Sequence, residues 1–263
     1  MKISKIVSLL LIAALLLSSL TACNLTAEQI VEKADKALEK RAYVLEIDID
    51  YRTEDQEIST IFDQLERSET VMHFKNGNVI ARNDLAINYG EGDTTFISTY
   101  TVVDGVLYLN LSYTADGVTR DVKSKAVIDA DKQTKLEDKL SLVGGIGVFD
   151  FSNVTLGCDE DEYDIVCRGI SDDKRIEIEK LLISELESTA ESVRATDVKM
   201  VVEIENGKYD TVTVFAEYSI VVSGKTYSVG MTVELEYEYD EKFDVSVPAD
   251  ASEYLDADID SLI

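Results

Sequence analysis

Residues 198–239 read VKMVVEIENGKYDTVTVFAEYSIVVSGKTYSVGMTVELEYEY, and apolar and polar side chains alternate along most of this stretch. A period of two is typical of β-strands that bury one face and solvate the other. Asn206-Gly207 and Ser223-Gly224 interrupt the alternation with dipeptides that favour two-residue hairpin turns. The stretch therefore predicts three long antiparallel strands in succession.

The same alternation occurs in the rest of the chain. It predicts further strands at residues 43–51, 68–75, 78–89, 94–103, 106–114, 118–124, 152–157 and 163–169, and a short one at 243–247. Apolar residues at helical spacing predict helices at 27–42, 130–142 and 173–193, whereas residues 55–67 fit neither period. Thr26 and Gln29 form a capping-box pattern at the start of the first helix. The element order predicts an α+β fold in one domain, and strands this long favour a curved sheet.

The N-terminus has the features of an export signal. Lys2 and Lys5 precede the apolar run Ile6–Leu17, which is too short to span a bilayer. Leu20-Thr21-Ala22-Cys23 resembles the bacterial lipobox, in which the cysteine becomes a lipidated N-terminus. The resemblance implies a cleaved signal peptide at 1–22, a thioether-linked lipid on Cys23 and a tether at 23–26. An ordinary cleaved signal with an incidental cysteine is the alternative.

The chain is strongly acidic, with a formal net charge of −27. Nucleic-acid binding needs clustered Lys and Arg, and here the basic residues are scattered among acids, so we expect no nucleic-acid partner. The same charge repels anionic lipid head groups. We therefore expect contact with the membrane through the lipid on Cys23, on the outer side of the cytoplasmic membrane.

Two cysteines remain once Cys23 is assigned to the lipid. Cys158 and Cys167 bracket the predicted hairpin of strands 152–157 and 163–169, so they could lie opposite each other across it. An even number of cysteines in an exported chain indicates a disulfide. Two thiols without a nearby histidine make a poor zinc site, so the disulfide is the favoured prediction.

The chain combines a lipobox, an amphipathic N-terminal helix, a long meander, central helices and the closing DVSVPADA at 244–251. In this combination it resembles exported lipoproteins of the LolA/LppX-like superfamily. The resemblance rests on element order and covers nearly all of the mature chain. It implies that residues 27–263 form an incomplete antiparallel barrel, with the N-terminal helix and two central helices on its concave side. Characterised members carry lipids or acylated proteins.

In such a fold the inward rows of the strands would line a hollow. The residues expected there are Leu45, Ile47, Ile49, Met200, Val202, Val214, Val229, Met231, Val233 and Leu235. The expected function is non-enzymatic binding of an apolar ligand, such as a lipid or a lipid-linked molecule. The alternative is an envelope scaffold whose hollow is filled by its own helices and which acts through protein contacts.

The sequence contains little that indicates catalysis. His73 is the only histidine, so a Ser-His-Asp or Cys-His arrangement would depend entirely on this residue. The chain has no GxSxG, HExxH, phosphate-loop or dinucleotide motif. We therefore expect no enzyme activity, no cofactor and no metal site, and the sequence identifies no protein partner.

Overall fold

The structure is a computed structural model that describes residues 25–38, 42–65, 68–89, 92–115, 117–141, 145–159, 161–186, 190–239 and 242–259. It confirms the α+β class and a long, curved, open antiparallel sheet. Cys23 and the predicted signal peptide lie outside the described residues. Among the residues that are described, no helix has both the length and the apolar character needed to cross a bilayer.

The described chain contains four α-helices and twelve strands. The helices are α1 Ala27–Leu38, α2 Gln56–Leu65, α3 Ala130–Ser141 and α4 Asp172–Glu185. The strands are β1 Tyr43–Arg52, β2 Ser68–Lys75, β3 Asn78–Tyr89, β4 Gly92–Val103, β5 Val106–Ala115, β6 Val118–Val127, β7 Phe151–Asp159, β8 Glu162–Ile170, β9 Ser192–Glu205, β10 Lys208–Val222, β11 Lys225–Glu238 and β12 Leu255–Asp256. Two short 3-10 helices lie at Val148–Asp150 and Ala251–Glu253.

All twelve strands form one sheet in the order β12-β6-β5-β4-β3-β2-β1-β11-β10-β9-β8-β7. Every neighbouring pair is antiparallel except β12 and β6, which run parallel. β1 is the first strand of the chain but lies in the interior of the sheet, between β2 and β11. It therefore joins two consecutive meanders, β1–β6 and β7–β11.

The hydrophobic core lies on one face of this sheet. On β1, Leu45, Ile47 and Ile49 are buried while the alternating acids are exposed, as the sequence predicted. All four helices contribute side chains to the same core as the strands, namely Ile30 and Ala34 of α1, Ile58 and Phe62 of α2, Leu136 of α3, and Ile178 and Leu182 of α4. The helices thus cover the apolar face that the alternation created.

The hairpin turns follow the predicted dipeptides. Asn76-Gly77, Asp104-Gly105, Asn206-Gly207 and Ser223-Gly224 all have positive φ at both residues. Two-residue turns of this kind match the right-handed twist of the flanking strands. They fix the register of each hairpin, and with it the face to which every side chain points.

Three predicted elements differ from the structure. Residues 56–65 are helical although their period was ambiguous. The helix predicted over 173–193 ends at Glu185, because β9 already begins at Ser192 and pairs Val193 with Ile220 and Ala195 with Tyr218. The strand predicted at 243–247 is wrong, and a two-residue strand forms instead at Leu255–Asp256. At the start of β9, pairing with the long strand β10 overrides the helical period of the sequence.

Residues 242–259, which we call the C-terminal segment, contact the outer face of the sheet opposite the core. Lys75 Nζ donates to the carbonyl oxygen of Phe243 at 2.8 Å, and the Phe243 ring lies 5.0 Å from the ring of His73. Lys123 of β6 contacts Asp250 and Glu253. His73 is therefore placed under the C-terminal segment on the outer face.

Replacing Ile47 tests the central position of β1. Ile47 is only 1% exposed and lies opposite Leu235 on one side and Thr70 on the other. We expect Ile47→Ala to lower the free energy of unfolding by about 2–5 kcal/mol, because it removes buried methyl groups and leaves a cavity. Urea unfolding followed by circular dichroism measures the change. Asp48→Ala on the exposed face of the same strand is the control and should change it by less than about 0.5 kcal/mol. Equal effects of the two substitutions would contradict this account of the core.

Candidate functional site

A hollow of about 290 Å³ lies between α1, residues 145–149 and the core face of β9, β10 and β11. We call it the α1 cavity. Its walls are mostly apolar, and its lining includes Val31 and Leu38 of α1 and Val148 and Phe149 of the short 3-10 helix. A concave apolar site with few polar groups is the usual form of a small-ligand site.

The helix that covers the cavity is fixed at its start by the predicted capping box. The backbone N–H of Thr26 donates to Gln29 Oε1 at 3.0 Å, and the N–H of Gln29 donates to Thr26 Oγ1 at 3.4 Å. This pattern satisfies backbone donors that the first turn leaves without partners. Ile30 and Ala34 then anchor the helix in the core, while Val31 and Leu38 reach the cavity.

The floor of the cavity comes from alternate residues of three adjacent strands. Met200 and Val202 belong to β9, Val212 to β10, and Leu235 and Tyr237 to β11. Val212 pairs with Val202 on one side and with Leu235 on the other, so these three side chains form one row across the sheet. The floor is therefore a direct consequence of strand register.

Residues 145–149 form the rim. The N–H of Gly147 donates to Asp150 Oδ2 at 2.8 Å, and the N–H of Ser171 donates to the Asp150 carbonyl oxygen at 2.7 Å. These bonds hold the segment beside β8 and α4. Phe149 nevertheless remains 70% exposed at the edge of the cavity. A large apolar ring in this position is suited to contact a ligand that enters the cavity.

Two polar groups meet at the cavity wall. The Tyr209 hydroxyl donates to Asp35 Oδ1 at 2.6 Å, and both residues line the cavity. Burial raises the pKa of the Tyr209 hydroxyl, and the hydrogen bond to Asp35 raises it further. The phenol therefore remains protonated at neutral pH and keeps the Asp35 carboxylate in a defined position.

A row of aromatic rings runs beside these groups across four adjacent strands. The ring of Tyr209 lies 5.3 Å from that of Tyr237, Tyr237 lies 6.0 Å from Tyr43, and Tyr43 stacks on Phe74 at 4.6 Å. Burial is the main cause of a raised pKa at Tyr43 and Tyr237. The row leads from the α1 cavity towards a second, more open hollow that shares Asp35 and Leu38 with it.

The structure places the ten predicted lining residues in two groups. Met200, Val202 and Leu235 line the α1 cavity. All ten are buried in the core, where side chains of the sheet and the helices pack together, and seven of them do not line this cavity: Leu45, Ile47, Ile49, Val214, Val229, Met231 and Val233. All ten side chains thus point to the core face of the sheet, as predicted, but only three of them line the α1 cavity.

The sequence prediction missed Asp35, Tyr209 and residues 145–149. A signal for Asp35 was present, because Val31, Asp35 and Leu38 follow one another at helical spacing and share a helix face. Tyr209 follows the Asn206-Gly207 turn, near a register shift between Tyr209 and Thr211 that strict alternation does not predict. The rim segment has no periodic pattern from which its position could be read.

The predicted disulfide between Cys158 and Cys167 is wrong. Cys167 is a buried free thiol, and Cys158 is disulfide-bonded but not to Cys167. In the β7–β8 hairpin Cys158 pairs with Tyr163, whereas Cys167 pairs with Val154. The two cysteines are therefore offset by four positions along the ladder, about 13 Å, which is too far for a disulfide.

The described residues offer no evident metal site. Within them, no group of three or more His, Cys, Asp or Glu side chains is arranged to hold a metal ion. The arrangement at the α1 cavity is instead an apolar hollow with one carboxylate at its wall. Chemically, it can exclude water from an apolar group and accept hydrogen bonds at one point.

Comparisons with known proteins identify no family. No family model matches the chain, and no curated protein matches it. Solved structures that match include one described as a candidate AttH protein of Nitrosomonas europaea, with 8% identity and a TM-score of 0.16 over 78% of this chain and 53% of that one. The present chain thus spans about half the length of that protein.

Two further matches are enzyme domains. One is an N-terminal dehydratase from the difficidin assembly line, at 9% identity and a TM-score of 0.14, covering 73% of this chain and 93% of that one. The other is a dehydratase domain from the CurJ module of the curacin polyketide synthase, at 10% identity and a TM-score of 0.16. The match covers 74% of this chain and 93% of that one. Scores this low support no argument about function.

The resemblance to the LolA/LppX-like superfamily is therefore wrong. The matching structures described above are an AttH protein and dehydratase domains rather than carriers of that superfamily, and no family model matches the chain. The resemblance rested on the order of helices and strands. An N-terminal helix followed by a long antiparallel meander is a general solution for covering one apolar sheet face, so element order alone does not identify a family.

Cysteine labelling tests the corrected pairing. Burial raises the pKa of the Cys167 thiol to about 11, so the thiol is protonated and inaccessible at pH 8. We expect iodoacetamide without reductant to label Cys167 in urea but not in the native protein, as measured by peptide mass spectrometry. Asn153→Cys places an exposed thiol on the same hairpin and should be labelled in the native state. If Cys167 remained unlabelled in urea without reductant, this result would support the original prediction of a disulfide between Cys158 and Cys167.

Proposed function

We propose that this protein is a non-enzymatic binding lipoprotein, anchored outside the cytoplasmic membrane, that holds an apolar ligand in the α1 cavity. The curved sheet then serves as an incomplete barrel whose concave side carries the helices. The observation behind the proposal is the cavity itself, which is walled by Met200, Val202, Val212 and Leu235 and bordered by the exposed ring of Phe149.

The size of the cavity limits the ligand. A volume of about 290 Å³ corresponds to roughly ten water-sized groups at about 30 Å³ each. This is enough for one apolar chain of about ten carbons or for a small ring system, and too little for a lipid with two long chains. We therefore propose a single-chain ligand, or one chain of a larger molecule.

A scaffold is the second candidate, and an exposed apolar patch favours it. The patch extends the core face at the far ends of β4, β5 and β6, where Phe96, Leu111, Tyr113 and Val122 are 37%, 41%, 39% and 61% exposed. Exposed apolar patches of this kind occur at protein-binding surfaces. The two candidates place the functional surface on different strands, so substitutions can separate them.

Filling the cavity tests the binding proposal. We expect 1-decanol to bind the protein, as measured by isothermal titration calorimetry, and we expect Val202→Phe to weaken binding at least about tenfold because the larger side chain occupies the cavity. Val122→Phe is the matched control on the exposed patch of β6 and should leave binding unchanged. Absence of binding, or loss of binding in Val122→Phe alone, would refute the proposal in favour of the scaffold.

The anchor requires a separate test, since Cys23 lies outside the described residues. We expect Cys23→Ala to move the protein from the membrane fraction to the soluble fraction, because a diacyl anchor is lost. Cys167→Ala is the matched control and should remain in the membrane fraction. The chain has three cysteines, of which Cys158 is disulfide-bonded and Cys167 is free, so a lipid on Cys23 and a disulfide at Cys158 exclude each other within one chain. The mass of the N-terminal peptide distinguishes a thioether at Cys23 from a disulfide. Continued membrane retention of Cys23→Ala would rule out the lipid anchor.

A further inference from the structure

We infer that the ligand of the α1 cavity is an amphiphile with a positively charged polar end, rather than a fatty-acid anion. The inference rests on the proposed function and specifies the chemistry of the ligand. It is based on the position of Asp35, which is the one charged side chain among the described residues that line the cavity. A cationic end beside this carboxylate would be attracted, whereas a carboxylate end would be repelled.

The position of Asp35 makes it accessible to the end of a bound chain. Asp35 and Leu38 line both the α1 cavity and the neighbouring open hollow, whose other walls include Tyr43 and Phe74. A chain buried over Val202 and Leu235 would therefore leave the cavity beside Asp35. Its polar end would emerge between a carboxylate and aromatic rings, two groups that both attract cations.

The carboxylate is held in place and retains acceptor capacity. Tyr209 donates one hydrogen bond to Asp35 Oδ1 at 2.6 Å. An ionised carboxylate has two oxygens with about four acceptor positions, so one phenol does not saturate it. An ammonium group has three N–H donors and could use the remaining positions. The Tyr209 ring stacks on Tyr237 and thereby fixes the direction of its hydroxyl.

Among the residues that the structure describes, two lysines near this point have other partners. Lys75 lines the open hollow, but its Nζ donates to the Phe243 carbonyl oxygen at 2.8 Å and lies 3.7 Å from Asp244 Oδ1. Lys208 Nζ lies 4.9 Å from the centre of the Tyr239 ring. The whole chain carries a net charge of −27. The negative charge of Asp35 and the negative net charge of the chain therefore both favour a cationic ligand.

Three probes with the same chain length test the inference: decylamine, 1-decanol and decanoate. Each is titrated into the full chain by calorimetry at pH 7 and low salt, below its micellar concentration. We expect decylamine to bind about tenfold more tightly than decanoate, with 1-decanol between them, because an exposed ion pair and an exposed repulsion each contribute a few-fold. The difference should decrease as salt is added.

Two variants with the same net charge identify the responsible group. Asp35→Asn should reduce the ratio between decylamine and decanoate to about threefold or less, whereas Glu32→Gln, on the same helix but outside the cavity lining, should retain the tenfold ratio. Tyr209→Phe retains the ring but removes the donor to Asp35. It should reduce the ratio between decylamine and decanoate by less than Asp35→Asn does. Equal effects of Asp35→Asn and Glu32→Gln would overturn the assignment to Asp35.

The outcomes also separate the two proposals. If decanoate binds as tightly as decylamine while 1-decanol binds too, the cavity holds apolar chains but the inference about charge is overturned. If none of the three probes binds, the proposed function itself fails and the inference fails with it. Tight, Asp35-dependent binding of decylamine supports both.

Discussion

The pairing of β1 with β11 is the constraint on which the rest of the molecule depends. Nine consecutive residue pairs, from Val44 with Glu238 to Arg52 with Gly230, join the first strand of the chain to one of the last. A slip of one residue would turn Leu45, Ile47 and Ile49 to the solvated face. The observed register joins the two meanders into one apolar face. It also places Leu235 and Tyr237 of β11 next to β1, on the face that α1 covers.

Local sequence signals predicted most of the elements but not their order in the sheet. Alternation and dipeptides such as Asn206-Gly207 specify strands and hairpins through contacts between residues close in the chain. The pairing of β1 with β11 joins residues almost two hundred positions apart, and no local pattern encodes it. The start of β9 was predicted wrongly for the same reason. Val193 pairs with Ile220 of β10, and this pairing is not visible in the local sequence.

The candidate site was only partly predictable for a related physical reason. Met200 and Met231 have the same apolar character and the same inward direction, yet only Met200 reaches the cavity. The difference depends on where α1 and residues 145–149 lie over the sheet, which is a matter of tertiary packing. The disulfide prediction failed through register, since bracketing a hairpin does not place Cys158 opposite Cys167. Helical spacing places Asp35 on one face with Val31 and Leu38, but only the structure shows that this face borders a hollow.

The register of β9, β10 and β11 beneath α1 creates a hollow, and we propose that this hollow receives an apolar chain. Methyl-resolved NMR with bound 1-decanol locates the chain. We expect intermolecular NOEs from the decyl chain to Met200, Val202 and Leu235, and none to Met231, which is buried in the same core away from the cavity. NOEs to Leu111 and Val122 of the exposed patch, with none to Val202, would contradict it.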